Sequence, residues 1–80
     1  MTVIMVVEMH VNGDVFIDGM KVGSDAEFLE SARRAHEKNP DVRAAVKADQ
    51  ALAYGKVIHV LDLLKQGGIA KIAFAVAPPL

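Results

Sequence analysis

His10, His36 and His59 are the residues in this chain best suited to hold a metal or move a proton. The sequence puts them on a strand, a first helix and a second helix, and none has another histidine three or four residues away. Paired spacing is what brings two imidazoles to one face of a helix, so the reading here is surface or rim histidine and no metal site. Asp49 follows a strand and precedes Tyr54-Gly55 at a helix start, a position where a general base can sit. No second acid, nucleophile or base accompanies it in a recognisable spacing. Its type suits a turn, with the carboxylate accepting local backbone N–H groups, and Tyr54 reads as a packed ring with a wet hydroxyl. Gly67-Gly68 follows a helix instead of preceding one, so no helix N-terminus faces it and it cannot cradle phosphate. Gly19 and Gly23 lack the dinucleotide fingerprint. The expectation is a protein that grips other molecules, with no catalysis and no cofactor.

Bulk properties narrow the classes further. Eighty residues make one small domain, which buries only about 60% of the surface its unfolded chain exposes. Dimerisation would supplement such a core. Aromatic residues make up 5% of the chain and the hydrophobic fraction is 52%, so the core must be built from Val, Ile, Leu, Met and Ala. A net charge of −1 offers no basic footprint for nucleic acid. Without cysteine there is no disulfide, thiol chemistry or thiolate metal site. No apolar run approaches the ~20 residues of a membrane span. Met1 to Val7 lacks the basic start of a signal peptide and reads as a strand that begins at once, as in an excised domain with an added initiator Met.

These residues must be carried by short elements. Residues 3–11 alternate, with Val3, Met5, Val7, Met9 and Val11 on one side, the pattern of a half-buried strand. Asn12-Gly13 predicts a hairpin. A three-residue loop with Gly13 left-handed pairs Met9 with Val15 and Val7 with Ile17, keeping the apolar side together. Asp18-Gly19 marks a second turn. Ser24-Asp25-Ala26-Glu27 predicts a capping box, with Glu27 reaching back to Ser24. A helix over 25–38 follows, its stripe Phe28, Leu29, Ala32 and Ala35, and Asn39-Pro40 ends it. Residues 42–48 alternate as a strand. A second helix over 55–66 carries Val57, Val60, Leu61 and Leu64, widened by Ile58 and Leu63, and Gly67-Gly68 caps it. The final strand, 71–77, places Ile72, Phe74 and Val76 on one face and Ala73, Ala75 and Ala77 on the other; Pro78-Pro79 stops it.

The predicted fold is therefore α+β: a small mixed four-stranded sheet in the order ββαβαβ, both helices on one face, with a parallel crossover over 42–77. Strand 71–77 leaves two readings open. A central strand may be apolar on both sides, but the last strand of a tiny sheet is expected at an edge, where charge, a bulge or Pro normally blunts pairing. Only Lys71 and Pro78-Pro79 do so here, which suggests a partner strand.

Several motifs fall in a recognisable order: Pro40-Asp41-Val42, Lys47-Ala48-Asp49, Tyr54-Gly55-Lys56-Val57-Ile58, Leu61-Asp62-Leu63-Leu64-Lys65, Gly68-Ile69 and Lys71-Ile72-Ala73-Phe74. From Val3 to Pro79 the chain resembles the periplasmic domain of the ExbD/TolR family, and is more similar to ExbD than to TolR. The resemblance implies a periplasmic homodimer that contacts a TonB-like or TolA-like protein. It also implies an ExbB-like or TolQ-like subunit, met through a transmembrane helix that this chain lacks, and for the TolR branch peptidoglycan. Combined with the open strand, it places partner binding at Tyr54, Val57, Ile72, Phe74 and Val76, and the dimer interface at Lys71, Ala73, Phe74, Ala75 and Val76. A small α/β enzyme is the competing class, and it suffers from the missing constellation.

Overall fold

A computed structural model describes residues 2–79. The elements run β1 (Ile4–Met9), β2 (Val15–Ile17), β3 (Met20–Val22), α1 (Asp25–Lys38), β4 (Arg43–Asp49), α2 (Tyr54–Gln66) and β5 (Ile72–Ala77). They form one mixed sheet of order β3-β2-β1-β4-β5. β1, β4 and β5 are parallel neighbours, and β2 and β3 are antiparallel.

The α+β class and both helices agree with the sequence reading, but the sheet has five strands, not four. Asp18 and Gly19 take φ of 49° and 84°, a two-residue turn that folds Met20–Val22 back on β2, with Ile17 opposite Met20. Asp18 fixes this turn to β1, its carboxylate accepting the Val6 N–H at 2.9 Å. Three residues are too few to show a period, so the sequence displays the turn and hides the strand.

The first hairpin has the expected register, Val7 opposite Ile17 and Met9 opposite Val15. The His10 N–H donates to the Asp14 carbonyl at 2.9 Å and the Gly13 N–H to the His10 carbonyl at 3.0 Å. Gly13 closes this three-residue loop with φ of 96°, a conformation that favours glycine.

One face of the sheet carries the core. Met5, Val7 and Met9 of β1 stand beside Ala44, Val46 and Ala48 of β4, all buried. α1 adds Phe28 and Ala32, and α2 adds Val57, Val60, Leu63 and Leu64. Ser24 caps α1, accepting the Glu27 N–H at 3.2 Å. The returning Glu27 carboxylate accepts from Gly23 at 2.8 Å, one residue earlier than the capping-box pattern predicts.

α2 begins at Tyr54, one residue before the predicted start, and ends in a Schellman motif. The Ile69 N–H donates to the Leu64 carbonyl and the Gly68 N–H to the Lys65 carbonyl, both at 3.0 Å. Gly68 takes φ of 98°. A Cβ on Gly67 would stand 2.6 Å from that of Ala32, so glycine lets α2 close on α1 here.

Candidate docking edge

Among the described residues β5 forms one edge of the sheet and is bonded to β4 alone. The Ala44 N–H donates to the Lys71 carbonyl and the Gln50 N–H to the Ala77 carbonyl, both at 3.0 Å. In a parallel ladder each residue points its N–H and C=O the same way, and neighbours alternate. Residues 71, 73, 75 and 77 therefore face β4. The N–H and C=O groups of Ile72, Phe74 and Val76 point off the sheet.

The side chains of these three residues lie on the helix-covered face, in rows with Ala44, Val46 and Ala48. Cover runs out along each row. Val7 and Val46 are buried, whereas Phe74 is 43% exposed and Val76 64% exposed. The cause is the position of α2. His59 and Leu63 mark its α1 side, His59 Nε2 meeting Asp25 Oδ2 at 2.6 Å and Leu63 sharing a groove with Phe28. Tyr54, Ile58 and Leu61 are spaced i, i+4 and i+7, so they form the opposite flank, toward β5. Tyr54 is 70% exposed and Ile58 44% exposed, while Leu61 is half-buried against the core. By this spacing the exposed apolar side chains of this flank and of the upper face of β5 border one apolar strip, here called the trough, with an unpaired backbone edge along its outer side.

The site residues expected from sequence divide on this geometry. Tyr54, Phe74 and Val76 are exposed on the trough, and Ile72 is half-buried at its lower end. Val57 is corrected: it is buried in the core, facing the sheet at 3% exposure, and cannot line a rim. Tyr54 is also corrected as a packed ring, because the helix flank that holds it has nothing above it. Lys71 lies one residue before β5. Ala73 and Ala75 face the other side of the sheet, where no helix lies. Ile58 and Leu61, core residues by the sequence pattern, belong to the trough. The signal was present: six large apolar residues on a helix this short make a stripe wider than one buried face needs.

The residues that first suggested chemistry sit elsewhere. The Asp49 carboxylate accepts the Ala51 N–H at 2.8 Å, the turn-forming role expected of it. His10 stacks on Phe16 with ring centroids 4.8 Å apart. His10 and His59 reach one cleft of 340 Å³ beside Asp25 and Lys56, a meeting the sequence did not signal. His36 packs on Gly68, leaving Nδ1 buried without a hydrogen bond. Among the described residues no group of three metal-ligating side chains forms.

Residues 2–79 match the family described as biopolymer transport protein ExbD/TolR. The chain belongs to the ExbD/TolR family. No curated protein matches it individually. Members work within complexes of the ExbB/TonB or TolQ/TolA type. They are anchored in the inner membrane and carry a periplasmic domain. Among the described residues of this family member, no helix is long and apolar enough to cross a membrane.

Proposed function

We propose that this is the periplasmic partner-binding domain of an ExbD-like subunit in a proton-motive-force-driven envelope motor. It engages a TonB-like protein by taking an extended segment onto β5. The observation that carries this reading is the open edge itself: three residues with outward N–H and C=O groups beside an apolar trough. A docked strand gains affinity from main-chain hydrogen bonds and specificity from alternate side chains. Energy transduction asks a domain to hold a moving partner, and strand addition does so without a catalytic group. The domain forms a homodimer, and Ala73 and Ala75 lie at its interface.

The test is an NMR titration with a peptide from the periplasmic stretch of a TonB-like protein. Amide shifts should concentrate on residues 72–77 and on the Tyr54–Leu61 flank. Shifts confined to other elements, or none at millimolar peptide, would defeat strand addition. Retention on isolated cell wall in that case would favour the TolR-like, peptidoglycan-binding role.

A further inference from the structure

Charge is divided along this chain in a way the net value conceals. Residues 1–41 hold four Lys and Arg against eight Asp and Glu, a balance of −4. Residues 42–80 hold Arg43, Lys47, Lys56, Lys65 and Lys71 against Asp49 and Asp62, five against two, a balance of +3. The second group is the β4–α2–β5 unit, so the docking edge lies in the basic part of the protein.

The cations are also placed unevenly around β5. Lys71 immediately precedes the strand. Its carbonyl is bonded to Ala44, which sets it beside Arg43, and the two line one shallow surface. Lys65 lies in the last turn of α2, four residues beyond Leu61 on the trough flank. α2 runs back between two parallel strands, so its C-terminal turn reaches the end where β5 begins. The three cations thus lie at the Ile72 end of the edge but on two faces: Lys65 on the trough side, and Arg43 and Lys71 on the uncovered side with Ala45 and Ala73.

Nearby anions do not neutralise them. Asp62 accepts from Gln66 Nε2 at 2.7 Å, and the Asp49 carboxylate lies at the other end of the sheet. Lys47, further along, stands beside Glu8 of β1. The ion pairs among the described residues are Lys21–Asp14, Arg34–Glu30 and His59–Asp25, and all lie away from this end.

We infer that the segment accepted by β5 is an acidic one from another protein. It is an extended strand with apolar side chains at alternate positions for the trough and, at the Ile72 end, adjacent carboxylates that alternate to the two faces, one toward Lys65 and one toward Lys71 and Arg43. This rests on the strand-docking reading and adds the partner's chemistry. Complementary charge of this kind sets register and excludes wrong partners. A bare apolar strand would satisfy the trough and leave the cations without partners.

Capped nine-residue peptides test it. Valine alternates with threonine through the middle, and each end carries two glutamates, two glutamines or two lysines. Binding to the full chain is followed by amide shifts at low salt. The glutamate peptide should bind roughly tenfold more tightly than the glutamine one, and the lysine peptide more weakly still. The difference should collapse in about 1 M salt, where the screening length is about 3 Å. The double variant Lys65→Glu with Lys71→Glu, checked for native circular dichroism, should reverse the order. Equal binding of all three peptides along β5 would overturn the acidic preference and leave strand docking standing. No shift on residues 71–77 with any peptide would overturn both. Shifts on Arg43 and Lys47 with vesicles containing phosphatidylglycerol, but not with peptide, would assign the cations to a lipid surface and overturn the inference.

Discussion

Phe74→Ala separates a docking strand from a core strand. A fully buried Phe costs about 3–5 kcal/mol when truncated to Ala. Phe74 is 43% exposed, so the loss should be near half of that, about 2 kcal/mol. A domain of this length has about 4–12 kcal/mol of total stability, and it should remain folded. With a urea slope of about 1 kcal/mol/M for so small a chain, the midpoint should fall by about 2 M. Binding should suffer more in relative terms. Phe74 is central on the edge and borders the trough, where anchor residues carry about 2 kcal/mol or more, or about thirtyfold in Kd. Urea denaturation and the peptide titration, made on the same sample, give both numbers. A loss of stability above about 4 kcal/mol would make Phe74 a core residue. Unchanged affinity in a folded variant would remove the trough from the docking surface.

Ser24→Ala leaves the Glu27 N–H without its acceptor and should lower stability by about 1 kcal/mol, with the peptide titration unaltered; an unchanged denaturation midpoint would show that the cap contributes nothing. Gly68→Ala forces a side chain into a positive-φ position and brings a Cβ to 2.7 Å from the His36 ring. It should cost about 2 kcal/mol or more, and pairing it with His36→Ala should recover the steric part while the backbone part persists. Equal midpoints for Gly68→Ala and the parent would refute the Schellman account.

Much of this fold was legible because its signals are local. The Asn12-Gly13 register followed from keeping Val7, Met9, Val15 and Ile17 on one side. The limits of α1 followed from Ser24 and Asn39-Pro40. What stayed hidden depends on where elements lie across the sheet. Val57 and Ile58 are equally apolar neighbours, yet one faces the sheet and the other solvent, because α1 occupies one flank of α2 and nothing occupies the other. Phe74 shares a row with Val46 but lies one strand beyond the helix cover. The sequence leaves β5 open to two readings, and the strand order decides between them.

One free edge accepts one strand. Phe74 and Val76 were expected at both the partner site and the dimer interface, and pairing β5 with β5 would consume the same outward N–H and C=O groups that a partner needs. The alternation of the strand offers a way out. Ile72, Phe74 and Val76 present backbone groups to the edge and side chains to the trough. Ala73 and Ala75 turn to the uncovered face, beside Ala45 and Lys47. Methyl groups there allow a second sheet to approach closely, so a dimer through this face leaves the edge free. Ala75→Asp should then weaken the dimer, since an unpaired charge buried at the seam costs several kcal/mol, while peptide still binds. Sedimentation with saturating peptide should show the dimer intact. Dissociation in proportion to the peptide bound would mean that the two copies meet edge to edge, and that the partner must open the dimer to enter.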